Sequence, residues 1–404
     1  MKKNLDEHYS PLYFLAALGN GGLTVAFFIF FMFMAAHPDT PIATFDAVRP
    51  LLLDGSPLIR LLCAAGYLGM LWFAFRHIRM LVWNIREFNR YKKTEHYRAM
   101  LHSNNEISLM ALPLTFTMTI NVMFVLGAML VPGLWSVVEY LFPVAFLAFF
   151  VTGIYSLRIF YRYYSKLLLR GHFNHTLNNS LAQMISSFAF AMNAVGFAAP
   201  AAMSENRLLV AISAFCALFF LLIAALLAVK NLVLGFHAML EKGINREGSA
   251  SLWILIPILT LLGITVIRLA HGFHLLFHTQ FGPAFYFILG SGIISLQIFF
   301  GLLGYQVMRQ NNYFPEFIHG CPLSANGGEP AAGPATYALI CPGVAFWVFG
   351  MFFLDKGLIH TGLLDIFSPP YFILLAPLLF VLVQTIRVNA KLNQRLLSEQ
   401  ETKR

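Results

Sequence analysis

Charge is what this chain has least of. Only 11% of its 404 residues are Asp, Glu, Lys or Arg, against about 25% in soluble domains. With 58% hydrophobic residues and a mean hydropathy of +0.70, that shortage excludes a soluble globular domain and predicts an all-α integral membrane protein. Apolar windows follow one another so closely that 1–404 reads as a single transmembrane domain. Cysteine is scarce too. Cys63, Cys216, Cys321 and Cys341 show no CxxC or comparable metal spacing, and three of them lie in apolar runs, so they read as unpaired packing residues. No Walker-type Gly-Lys-Ser/Thr motif, Rossmann glycine pattern, nucleophile elbow or HExxH is present. Primary active transport by this chain alone is therefore not expected, the chain is not read as an enzyme, and no cofactor is implied. Acidic residues almost vanish from the apolar runs, where Glu139 and Asp355 both lie near the outer ends. That scarcity disfavours a cation channel built on carboxylate rings and a carboxylate proton relay.

What is present is a series of ten apolar spans. They run over Pro11–Ala35, Leu58–Leu81, Leu109–Val131, Val138–Leu157, Leu181–Met203, Leu208–Lys230, Leu252–Phe277, Ala284–Val307, Gly333–Leu354 and Tyr371–Ile386. The opening MKKNLDEHYS lacks the short apolar core and small-residue cleavage site of a removable signal, so the first span is expected to be retained. The net charge of +9 reads as topology and not as nucleic-acid binding, because cytoplasmic loops of membrane proteins collect Lys and Arg. With the amino terminus inside, 22 of the 27 Lys and Arg fall on inside segments; Arg49, Arg60, Arg207, Arg268 and Lys356 remain. Both termini are then cytoplasmic, with 86–106 and 231–250 as cytoplasmic connections and 387–404 as a cytoplasmic tail. The aromatic, basic stretch FYRYYSKLLLRGHFNH and the run at 86–106 read as contacts with membrane lipids at that face.

The spans alternate in character. Odd-numbered ones collect small, polar and helix-disrupting residues: Gly19, Asn20, Gly21 and Gly22 in the first, Pro113, Thr115, Thr117, Thr119 and Asn121 in the third. Gln183, Ser186, Ser187, Asn193 and Pro200 mark the fifth; Pro257, Thr260, Gly263, Thr265 and Arg268 mark the seventh. Even spans such as FCALFFLLIAALLAV are plainer. This recurrence predicts five helical hairpins, with the odd helices as an inner ring around a central pore. Small residues also permit close helix packing without any pore.

Arg268 is the most conspicuous candidate, because a permanent cation within a span is costly and faces an interior, a cavity or a partner. Either it attracts anions near an outer vestibule, or it snorkels or pairs with a carboxylate. His271, His274 and His278 share its face nearer the outer edge. They read as a proton-sensitive vestibule and not as a metal site. Hydroxyls of Thr115, Thr119 and Ser187 and amides of Asn20, Asn121 and Asn193 are candidates to hydrogen-bond a dehydrating anion, each with helix-to-helix bonding as the alternative. The ninth span begins with Gly333-Pro334, carries Tyr337 and is interrupted by Pro342-Gly343 after Cys341. Such a span lines a site, or is kinked for packing.

The ninth-span segment from Ala335 through Thr336, Tyr337 and Cys341 to Pro342, with the Gly-rich opening YFLAALGNGG, resembles the tellurite-resistance/dicarboxylate transporter family. That family includes TehA-type bacterial proteins and plant slow anion channels. The resemblance implies five helical hairpins around a central pore, a homotrimer in the bacterial inner membrane, and a small anion substrate, inorganic or organic. It also implies a pore-plugging phenylalanine just before the ninth-span proline, where this chain has Cys341. A thiol cannot fill that cross-section, so another side chain closes the pore, the path is wider, or transport is lost. The function expected is an anion channel or secondary anion transporter; a non-transporting membrane scaffold or partner subunit is the alternative.

Overall fold

The computed structural model describes residues 1–171, 179–320 and 333–398; Cys321, the HFNH end of the aromatic stretch beyond 171, and 399–404 of the expected tail lie outside them. Among the described residues there is no β-strand, and ten helices are long and apolar enough to cross a membrane. We label them α1 (Pro11–Met34), α2 (Pro57–Tyr91), α3 (Asn104–Leu130), α4 (Leu134–Leu169), α5 (Ala182–Met203), α6 (Arg207–Lys242), α7 (Glu247–Phe277), α8 (Pro283–Gln310), α9 (Pro334–Ile359) and α10 (Pro369–Leu396).

The two kinds of span occupy different environments. In the most apolar stretch of each odd helix, 83%, 56%, 94%, 61% and 67% of residues are buried; in the even helices the shares are 28%, 28%, 33%, 17% and 28%. What the even helices expose is Leu, Ile, Val and Phe, including Leu68, Phe215, Ile288 and Ile373, a surface suited to lipid. Each odd helix packs on the even helix that follows it. Successive odd helices also touch one another, and α9 returns to touch α1. The polar residues of the odd spans are thus on the best-buried helices, where each needs a partner.

Every odd helix opens with a 3-10 segment before becoming α-helical: Pro11–Tyr13, Asn104–Met110, Ala182–Met184, Glu247–Ile254 and Pro334–Leu339. In three of the five, the third residue of the α-helical part is proline, namely Pro113, Pro257 and Pro342. Proline has no N–H to donate four residues back, so the α-helical ladder cannot extend through it towards the start. Pro342 therefore does not break α9 in the middle. The change of helix type precedes Ile340, and the α-helix runs unbroken to Phe352 before a π-helical turn at Phe353–Ile359.

Even helices overrun the spans marked by hydropathy. The second, fourth and sixth continue to Tyr91, Leu169 and Lys242, so the first part of each expected cytoplasmic connection is helix. Hydropathy ends where lipid ends, whereas these basic, amphipathic turns keep their helical hydrogen bonds in water. Part of the basic run is committed within the fold, since Arg162 and Lys166 reach the buried Glu106 carboxylate at 2.9 and 3.0 Å. Close approach between α1 and α9 rests on glycine. A Cβ on Gly19 would lie 2.8 Å from Ile340 Cγ2, and Trp347 Nε1 donates to the Ala26 carbonyl at 2.9 Å.

Candidate functional site

A central cavity of about 170 Å³ receives side chains from all five odd helices and from α4. It begins at Leu18, Met118, Phe188, Pro257 and Cys341, just past the 3-10 segments, and none of those segments contributes to it. Along α1 it extends from Leu18 to Met32, about 21 Å at roughly 1.5 Å per residue, or some two thirds of a hydrocarbon core about 30 Å thick. The 3-10 segments neighbour one another at one end of the bundle. At that end, beyond the reach of the cavity, the amino-terminal segment also meets the end of α10, with Lys2 N donating to Leu397 O at 2.8 Å.

The walls are Phe, Met, Ile, Leu and Val, with polar groups at Asn121 and Thr260 and a single charged residue, Arg268. The Arg268 Nη1 donates to the Val195 carbonyl at 2.9 Å, and among the described residues no carboxylate pairs with it. One of its five donors is satisfied in this way. Its permanent positive charge stands in an apolar enclosure where each electrostatic interaction counts for more than in water. No family model, curated protein or solved structure matches this chain. What stands is a multi-pass α-helical membrane architecture with one cationic, otherwise apolar cavity at its centre.

Of the candidate anion-binding residues, Asn121, Arg268 and Cys341 line the cavity, as do Gly19, Gly22, Pro200, Pro257 and Thr260 among the small, polar and helix-disrupting residues of the odd spans. The other candidate anion-binding residues lie outside its lining, most of them bonded to neighbouring helices. Asn20 donates to the Ala16 carbonyl at 2.7 Å and accepts from Asn389 Nδ2 at 3.2 Å. Thr115 donates to the carbonyls of Ala111 and Phe14, and Ser187 donates to that of Ala224 at 2.6 Å. Asn193 bonds Ser156 and Thr152, tying α5 to α4. Tyr337 reaches Asn393 Oδ1 at 3.1 Å, and Pro342 is buried beside the wall. His271 is exposed at the far end of α7.

Thr119 meets His77, whose Nδ1 lies 2.8 Å from the Ala17 carbonyl and whose Nε2 lies 2.9 Å from Thr119 Oγ1. A carbonyl only accepts, so Nδ1 carries the proton. His77 is wholly buried within α2, which runs on to Tyr91. The lining residues missed in sequence are chiefly Met118, Phe124, Phe188 and Met192. Nothing in their composition separates a phenylalanine facing a cavity from one facing a neighbouring helix.

Proposed function

We propose that this protein is an anion channel or secondary anion transporter whose path runs through the central cavity. Five hairpins put the odd helices in an inner ring around that path, with Arg268 as the attracting charge. The observation that carries the reading is the unpaired Arg268 guanidinium on the wall of a cavity lined by all five odd helices. A fixed cation in a low-dielectric enclosure favours an anion and repels a cation. The volume is well above the ~10–15 Å³ that one water needs, so a small anion fits with part of its hydration. Resemblance to the tellurite-resistance/dicarboxylate transporter family supports the same reading, and with it a homotrimer in the bacterial inner membrane with both termini cytoplasmic. In place of the family's phenylalanine, Phe188 of α5 supplies the bulky ring at the level of Cys341, and we assign the constriction to it. The role is transport, not catalysis.

A second reading has an observation of its own. Asn20, Thr115, Ser187 and Asn193 are hydrogen-bonded within and between helices, as a non-transporting membrane scaffold would require. Flux into proteoliposomes, measured over a panel from chloride and nitrate to malate, separates the two. Anion flux that depends on the parent protein and falls with Arg268→Gln supports transport. Folded protein passing none of the panel leaves the scaffold reading standing.

A further inference from the structure

At the end of the bundle that carries both termini, a second hollow of about 350 Å³ opens between α2 and α10. Arg76 and Arg79, about one turn apart on α2, line it, and Asn393, Gln394 and Ser398 face it from α10 and the residues just after. No carboxylate lines it. Neither arginine has an ion-pair or hydrogen-bond partner among the described residues, and the Arg76 Nε is buried without an acceptor. A buried guanidinium nitrogen left unbonded, as in Arg76, is costly, and the neighbouring Arg79 cation repels it unless an anion joins them.

The depth of the hollow says which anion. Arg76 stands about 28 Å along α2 from Pro57, at roughly 1.5 Å per residue, which is close to the full thickness of a hydrocarbon core. A guanidinium at that depth is within reach of lipid headgroups. On the bilayer side of it, Trp72 and Phe75 of α2 and Phe380 and Val383 of α10 are exposed and apolar, and the Trp72 ring centroid lies 5.8 Å from the Arg76 guanidinium carbon. The site thus has a cationic head and an apolar tail track, both on the sparsely buried helices that face lipid.

We propose that this hollow binds an anionic phospholipid, its phosphate held by Arg76 and Arg79 and an acyl chain lying against Trp72 and Phe380. Guanidinium groups match phosphate oxygens in paired, charge-assisted hydrogen bonds, and the Gln394 amide and Ser398 hydroxyl add neutral donors. A zwitterionic lipid brings its own cation to the same place and gains less. The site does not depend on transport through the central cavity.

Native mass spectrometry of the detergent-solubilised protein tests this with phosphatidylglycerol, phosphatidylcholine and inorganic phosphate as separate probes. The parent is expected to retain phosphatidylglycerol over phosphatidylcholine. The Arg76→Gln/Arg79→Gln double variant is expected to lose about tenfold or more of that retention, at roughly 1 kcal/mol per basic residue, with phosphatidylcholine adducts unchanged. Arg79→Gln alone removes an exposed side chain, so it keeps the test decisive if the double variant fails to fold; it is expected to lose severalfold. Phosphatidylglycerol retained at parental level by a folded variant overturns the proposal. So does millimolar inorganic phosphate that displaces phosphatidylglycerol completely, since the hollow is then a site for free phosphate.

Discussion

Arg268 is where residue chemistry says most. It was legible in the sequence because no other permanent cation lies so far from both ends of a span, and the structure puts it on the wall of the central cavity without a counter-ion. Arg268→Gln keeps a polar amide at the wall and removes the charge. Anion flux is expected to fall about tenfold or more, because an attraction worth at least ~1.4 kcal/mol is lost. The melting temperature is expected to hold or rise, since an unpaired desolvated charge is a net cost to the fold. A variant that transports as the parent does would sink the assignment of Arg268. The Asn and Thr residues were not legible in this way. Asn121 and Asn193 carry the same amide on neighbouring odd helices, yet one faces the cavity and the other bridges to Ser156 and Thr152. Composition records the need for a hydrogen bond, not the identity of the partner. Cys341 and Phe188 are each the first lining residue after the 3-10 segment of their helix, so their substitutions should move flux in opposite senses. Cys341→Phe adds a ring and is expected to reduce flux severalfold, and Phe188→Ala removes one and is expected to raise it severalfold. Iodide-quench or isotope uptake reads both; movement in the same direction would place the narrow point elsewhere.

At the scale of elements, the number of spans could be read from hydropathy, but their internal make-up could not. Pro113, Pro257 and Pro342 announce an irregularity. Only the structure shows that each sits in the first turn of its α-helix after a 3-10 segment. The positions of Gly19 and Gly22 in α1 have the same kind of explanation. A Cβ at these sites would lie 2.8 Å from Ile340 Cγ2 and 3.2 Å from Val344 Cγ1, respectively, so α1 approaches α9 at the distance glycine permits. Gly19→Ala is expected to destabilise by about 1–3 kcal/mol through overpacking, read as a lower melting temperature in detergent. The clash is with the Ile340 side chain, so Ile340→Ala made in the same chain should recover part of the loss. Costs that simply add would show that α1 and α9 are not in contact at this point.

For the molecule as a whole, alternation is the governing pattern, and two independent quantities follow it. Well-buried and lipid-facing spans alternate along the chain. Basic residues alternate from one connection to the next, with 22 of 27 on the segments that share a side with the termini. Among the described residues, the even number of candidate spans and the Lys2–Leu397 contact put the amino-terminal segment and the end of α10 at one end. The basic connections share that end, because each joins an even helix to the next odd one. A charge bias of this size acts during insertion, when Lys and Arg hold their loops on the cytoplasmic side. The terminal face, with its Arg76–Arg79 hollow, is then expected to be cytoplasmic, and Arg268 to sit in the half of the bilayer towards the outside. Single cysteines at the exposed positions Asp39, between α1 and α2, and Lys93, between α2 and α3, test this against a membrane-impermeant maleimide. In intact cells Asp39→Cys is expected to label and Lys93→Cys to remain protected until the membrane is permeabilised. The reverse pattern would invert the protein and move Arg268 to the cytoplasmic half. An anion would then meet the Arg268 end of the cavity from inside the cell.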